Sequence, residues 1–208
     1  MSVYSMFSIP IIHYEIENWD VNKQKILQAL PKDNPEHQAP EDEGLITDFF
    51  VNAKEGNDEL PPYADVVIDI IKPYLADFTD QRRVEFTDMW HQTYPLGTDH
   101  PVHNHGHSGW SAIIYVDFHP EIHRPTTFYS PFLNPWSGNV ETFEPPAKEG
   151  DMLLWPSTIL HEAPRNRSKV PRTIISYNLR GKVDVVKREM WQGDPIRKVY
   201  VKRDASNI

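Results

Sequence analysis

The chain has 208 residues and a formal net charge of −9, which is long enough for one substantial core and too acidic to attract phosphate backbones broadly. It contains no cysteine, which excludes disulfides, thiolate metal sites and a cysteine nucleophile. No apolar run approaches the roughly eighteen residues of a membrane-spanning helix. The N-terminus MSVYSMFSIPIIHYEIENWD lacks the basic and apolar regions of a signal peptide, so a cytoplasmic location is expected.

Residues 7–16 read as a first strand, with Pro10 marking an edge position. Asp20 is placed to cap a short helix over 21–30, where Val21, Ile26, Leu27 and Leu30 supply the apolar positions. Residues 31–44 are polar, acidic and proline-bearing, which is a surface-loop composition. Residues 45–51 are apolar and of undetermined type. The clearest helix covers 61–78. Pro61 and Pro62 stand at its start, and Val66, Val67, Ile70, Ile71, Tyr74 and Leu75 recur at helical spacing.

From Val84 the pattern changes to short apolar runs separated by Gly, Pro, Asn and Asp. These runs are 84–94, 101–105, 111–118, 126–129, 140–144, 151–155, 158–162 and 172–180. Strands at this spacing predict a mainly β sandwich or jelly roll, with the helices as support. We expect a single domain over 1–208, with a supporting segment 1–83, a β core 84–181 and an extension 182–208. Residues 183–186 and 199–201 could add strands to that extension. Arg180, Lys182, Lys187, Arg188, Arg197, Lys198, Lys202 and Arg203 make it basic. A solvated charged tail is the commoner meaning of such a run, so nucleic acid is disfavoured as a partner.

The chemistry gathers at HNHGHSGWSAIIY, residues 103–115. If His103 and His105 share a strand, both side chains face one side, and their imidazoles converge on one metal ion. His161, at the end of another apolar run, can supply a third ligand. Three ligands on one face leave coordination positions open, as redox metals require. A lone histidine is more often a packed or surface residue, but His100, His103, His105 and His107 cluster without a nearby carboxylate. The spacing alone fits zinc as well as iron. In RTIISYN, Arg172, Ile174, Ser176 and Asn178 share one strand face. A guanidinium beside a hydroxyl there suits a carboxylate, although pairing with an acidic side chain is the usual role of such an arginine.

Together these segments resemble the iron(II)/2-oxoglutarate-dependent oxygenases. The match is closest to the small bacterial and phage group of prolyl-hydroxylase type. The matching residues are Trp90, Tyr94, Gly97, His103, His105, Ser111 and Tyr115, then Gly150, Asp151, Trp155, Pro156, His161, Arg172, Ser176 and Asn178. The resemblance spans about residues 88–181 and implies a double-stranded β-helix that takes Fe(II) and 2-oxoglutarate. It implies His103 and His161 as the two histidine ligands, Arg172 as the anchor of the far carboxylate, and Tyr115 and Tyr94 as cosubstrate neighbours. His105 stands where the wider superfamily has a carboxylate, so the set carries no negative charge. His100 and His107 would orient ligands, line the loop or face the substrate. The implied reaction decarboxylates 2-oxoglutarate to succinate with molecular oxygen and hydroxylates a small-molecule or peptide substrate.

Two other readings stay open: a cupin-like three-histidine metalloprotein, isomerase or dioxygenase, that uses no 2-oxoglutarate, and a non-enzymatic jelly-roll binding module. A homodimer also stays open. Residues 119–140 read either as a lid over the site or as a structural loop. Trp110 and Trp136 read as packing residues.

Overall fold

The computed structural model describes residues 8–31, 44–54, 60–79, 84–107, 109–181, 184–186 and 200–202. The N-terminal part contributes β1 (Ile12–Glu15), α1 (Trp19–Ala29), β2 (Ile46–Thr47), α2 (Phe49–Lys54) and α3 (Ala64–Thr79). The β core follows as β3 (Val84–Tyr94), β4 (His100–His103), β5 (Trp110–Asp117), β6 (Thr127–Leu133), β7 (Val140–Phe143), β8 (Asp151–Pro156), β9 (His161–Ala163) and β10 (Arg172–Gly181). A larger antiparallel sheet runs β1-β8-β5-β10-β3-β2, and a smaller one runs β4-β9-β6-β7. This is a jelly roll, as the strand pattern predicts, and the double-stranded β-helix that the family resemblance implies.

Both faces of the larger sheet are buried, and the strands divide their side chains between them. Ala112, Ile114 and Val116 of β5, Met152 and Leu154 of β8, and Ile175 and Tyr177 of β10 point outward. They meet Val67, Ile71 and Leu75 of α3 and Ile26 of α1. Burying each such aliphatic side chain contributes about 1.5–3 kcal/mol, so α3 is held by its apolar stripe. The alternate residues Ile113, Tyr115, Leu153, Trp155 and Ile174 point inward, where Phe128 of β6 and Ala163 close the interior.

The edges need separate reasons. Pro10 precedes β1, which forms one edge of the larger sheet, as its missing N–H requires. Helix α1 begins at Trp19, and Asp20 lies in its first turn rather than at its cap. Asn18 takes the cap position with φ 52° and makes no side-chain capping bond. Asn tolerates this left-handed backbone better than most residues. The apolar stretch 45–51 divides into β2 and the start of α2. Its Asp48 is buried, accepting hydrogen bonds from the Tyr63 hydroxyl (2.8 Å) and the His91 backbone N–H (2.9 Å). Burial alone would raise the Asp48 carboxyl, but the His91 and Tyr63 contacts outweigh it and hold the group below its usual range. This pins the β2–α2 segment against β3.

Residues 119–140 do not form one long loop. Strand β6 occupies their middle and pairs with β7 and β9, so the expectation of a single loop is corrected. Trp136 is 95% exposed at the tip of that hairpin and packs on nothing, contrary to expectation. Trp110 does pack, edge-on against Phe78 at 4.8 Å. In the extension, β11 (Asp184–Val186) and β12 (Tyr200–Lys202) pair antiparallel. Most of the basic run and residues 32–43 of the acidic loop lie outside the described residues. No helix among the described residues is long and apolar enough to cross a membrane.

Candidate metal and cosubstrate site

His103 and His161 are brought together by sheet register. They are opposite partners on β4 and β9 of the smaller sheet, which places side chains on one face within reach of each other. His105 arrives by another route. Strand β4 ends at His103, so the expectation of two histidines alternating on one strand is corrected. His105 lies in the following loop, whose Gly106 turns at φ 98°. The loop is fastened because the His105 backbone N–H donates to the Ser157 carbonyl at 3.0 Å.

The ligand atoms of His103, His105 and His161 lie within 4.8 Å of one another. Each ring also turns its other nitrogen to an oxygen. His103 Nδ1 donates to the Pro101 carbonyl (2.7 Å), His105 Nδ1 to Asn178 Oδ1 (2.7 Å) and His161 Nδ1 to the Ile159 carbonyl (3.0 Å). With Nδ1 protonated, each neutral ring has its lone pair on Nε2. His103 and His105 Nε2 face each other at 3.1 Å. Two imidazoles bound at ordinary distances and a right angle to one metal would stand about 3 Å apart. Burial pushes His161 down to about 3, helped by neighbouring His103, and lowers His103 and His105. The unprotonated rings that a metal requires are therefore the stable forms.

His100 also packs into the cluster. It stacks on His103 at 4.0 Å and 15°, and its Nδ1 accepts from Gln92 Nε2 at 3.1 Å. Burial pushes it down to about 4. His107 is exposed in the loop.

Arg172 is 2% exposed at the start of β10. Nη1 donates to the Arg124 carbonyl (2.7 Å) and Nη2 to the Pro164 carbonyl (3.1 Å), while Nε has no acceptor. Its Cζ lies 4.5 Å from the centroid of the Tyr94 ring. Among the described residues no carboxylate pairs with it. Burial lowers its pKa. A buried cation without a counter-ion is costly, so this guanidinium is a ready site for an anion. Tyr115 lies nearby, its hydroxyl donating to Thr126 Oγ1 and accepting from the Thr126 N–H. The Ser176 hydroxyl donates to Gln92 Oε1.

The histidines stand between two spaces. An inner one is walled by Tyr94, Ile113, Thr126, Ala163, Ile174 and Ser176, and as the side chains stand it holds about 20 Å³. That is room for about one water, so a dicarboxylate enters only as side chains move. The outer space measures about 330 Å³. Leu45, Phe49, Phe50 and Trp90 make its apolar wall, opposite Asp88, Asn104 and Asn178. Reading the sequence assigned no chemistry to the first eighty residues, yet Phe49 and Phe50 form this wall. Their signal was an aromatic pair in a short apolar stretch. Asp88 and Asn178 were likewise given no role at the histidines.

Two antiparallel sheets with three histidines clustered together make a jelly-roll scaffold with a candidate metal site. Residues 88–178 match the family described as putative 2OG-Fe(II) oxygenase, whose members use iron(II) and 2-oxoglutarate. Over these residues, a little under half of the chain, the protein is similar to the 2-oxoglutarate-dependent oxygenases, which are oxidoreductases. Among solved structures it is similar in fold to HygX from Streptomyces hygroscopicus, determined with nickel, 2-oxoglutarate and hygromycin B bound. That match has a TM-score of 0.57 and 12% identity, covering 83% of each chain. A collagen prolyl hydroxylase from Paramecium Bursaria Chlorella virus-1, in complex with 2-oxoglutarate, gives 0.55 and 14%, covering 83% of this chain and 96% of the other. The epimerase SnoN of nogalamycin biosynthesis gives 0.55 and 12%, covering 90% and 86%. A comparison with curated proteins gives no match.

Proposed function

We propose that the protein hydroxylates a small-molecule or peptide substrate, with His103, His105 and His161 holding iron(II) and Arg172 anchoring 2-oxoglutarate. The observation that carries this reading is the buried, carboxylate-free Arg172 packed on the ring of Tyr94, itself a wall of the cavity that the three histidines line. Three bare Nε2 atoms fit a divalent metal of the first transition row, and iron(II) is among those that imidazole suits. Bound iron(II), with 2-oxoglutarate and oxygen, supplies the oxidant that turns a substrate C–H into C–OH as the cosubstrate leaves as succinate and carbon dioxide.

The chain's own residues bind, orient and shield. Arg172 would meet the far carboxylate with two parallel N–H donors, exchanging its carbonyl partners for a charged one. The Tyr94 ring supports the guanidinium from one face, Ser176 lines the inner wall, and Tyr115 stands behind it with its hydroxyl bonded to Thr126. Ile113 and Ile174 keep water from the cosubstrate. The substrate would enter from the outer space, against Phe49, Phe50 and Trp90. Its volume suits a compact small molecule or one residue of a peptide. The histidines stand between the two spaces, so cosubstrate and substrate would take separate sides.

The test is anaerobic addition of 2-oxoglutarate to iron(II)-loaded protein, read by the weak visible charge-transfer band of the chelate. Wild type should give the band, and His161→Ala should lose metal and band together. Metal uptake without the band would instead favour the cupin-like reading. No metal uptake would favour the binding-module reading.

A further inference from the structure

Three neutral imidazoles bring no negative charge to a divalent metal, so any protein charge that offsets it comes from beyond the ligands. Behind His105 the structure holds a hydrogen-bonded chain that ends in a carboxylate. His105 Nδ1 donates to Asn178 Oδ1 at 2.7 Å, and Asn178 Nδ2 donates to Asp88 Oδ2 at 3.2 Å. The Asp88 contact decides which end of the amide faces the imidazole, because only Nδ2 can donate to a carboxylate. Ser111 Oγ also donates to Asn178 Oδ1, at 2.9 Å, and Thr87 Oγ1 donates to Asp88 Oδ2, at 2.9 Å. Asp88 and Asn178 face each other across neighbouring strands, as register partners on β3 and β10. The sheet therefore holds the Asp88–Asn178 pair in place behind His105.

We propose that Asp88 and Asn178 are positioning residues that fix His105 with its Nε2 bare and lend it, through the Asn178 amide, part of the charge that a carboxylate ligand would have brought directly. This rests on the three-histidine metal reading. The physical basis is general. A carboxylate or carbonyl accepting the remote N–H of a ligating histidine fixes the ring and raises the basicity of the ligand. Here an amide stands between, so the carboxylate polarises the amide and the amide polarises the imidazole. His103 and His161 have only backbone carbonyls behind them, so His105 is the one ring of the three whose partner leads to a charge. It is also the one that stands in the carboxylate's position. Asp88 is exposed at the outer space, and direct attraction across water would be screened. The bonded route is what makes its charge count at the metal.

The test uses cobalt(II) as the probe and reads its dissociation constant by competition titration, with no turnover involved. Asp88→Asn keeps the shape and removes the charge. It should weaken cobalt binding about tenfold, at the lower end of the effect of removing such outer partners. In a His105→Ala background the same change should alter affinity by less than about twofold, because the route is already cut. Asn178→Asp, which places a carboxylate directly on Nδ1, should restore the affinity lost in Asp88→Asn. Equal losses in both backgrounds would mean that Asp88 acts by general field or by structure, and would overturn the relay. So would an Asp88→Asn variant that binds like wild type. If wild type itself takes up no cobalt, the three-histidine reading fails, and the relay falls with it. The thermal midpoint of metal-free Asp88→Asn should match wild type, which separates the relay from a loss of folding.

Discussion

Replacing Arg172 with methionine tests the cosubstrate side most directly. The change keeps an unbranched apolar stem of similar reach and removes the guanidinium. Hydrogen bonds to a charged group contribute about 1.5–3 kcal/mol each. Two of them to the far carboxylate make about 3–6 kcal/mol, or about 10²–10⁴-fold in affinity for 2-oxoglutarate. Stability without cosubstrate should behave differently. Wild type holds a buried cation with no carboxylate partner, and the variant is relieved of that desolvation. Against this, the Arg124 and Pro164 carbonyls lose their donors, at about 1–3 kcal/mol each when buried groups are left unsatisfied. The opposed effects should leave the metal-free variant within about 2 kcal/mol of wild type. The assay is an anaerobic titration of 2-oxoglutarate into iron(II)-loaded protein, followed by the chelate band, beside urea unfolding of the metal-free forms. If Arg172→Met binds 2-oxoglutarate within threefold of wild type, the anchoring argument is wrong. If affinity and stability fall together, the arginine is a structural element and the anion belongs elsewhere.

Other perturbations have definite outcomes. In metal-stripped protein, His161 and His100 are held below their ordinary value, to about 3 and about 4. Their neutral forms favour the folded state, so their contribution is complete above about pH 6.5 and is lost as pH falls from there toward 4, at up to about 1.4 kcal/mol per unit per histidine. Urea midpoints taken across that range should fall more steeply than in His161→Gln, and parallel slopes would count against the assignment. Gly109 has φ 101°, and an added Cβ would sit 2.5 Å from the Leu179 carbonyl oxygen. Gly109→Ala should therefore cost at least about 2 kcal/mol by backbone strain and displacement, and an unchanged denaturation midpoint would contradict the contact. Trp136→Ser should shift stability by less than about 0.5 kcal/mol, as expected of a side chain that packs on nothing. A larger fall on thermal unfolding would show that the indole has a partner.

Much of the barrel is legible in the sequence because its strands are short apolar runs between turn residues. The α3 helix is legible because only one face of it meets the sheet. The site is legible where residue type alone carries meaning, as with the histidines and Arg172. It is not legible where the geometry is made by contact. His105 reaches the cluster from a loop tied to Ser157, not from strand alternation, so its place beside His103 was expected for a wrong backbone reason. The Asn178–Asp88 contact joins residues ninety positions apart, and nothing local in either segment announces it. The inner faces of β5, β8 and β10 are masked by burial on both sides, which erases the two-residue alternation that usually marks a strand. The aromatic wall from Phe49 and Phe50 was missed for a similar reason, since a pair of phenylalanines in a short segment fits any buried element.

The cross-strand position of His103 and His161 has a mechanical side. Both belong to the smaller sheet, whereas His105 is tied through Asn178 to the larger one. A metal held by all three would rivet one sheet to the other at the mouth of the barrel. Phe128 of β6 lies against Trp155 at 5.0 Å and is the register partner of His161, so the rivet would reach the hairpin of β6 and β7. Loading with metal should then slow backbone hydrogen exchange in β4, β9 and β6 more than in the helix-backed β5 and β8. Cosubstrate capture and the local firmness of the barrel mouth would share one fastening.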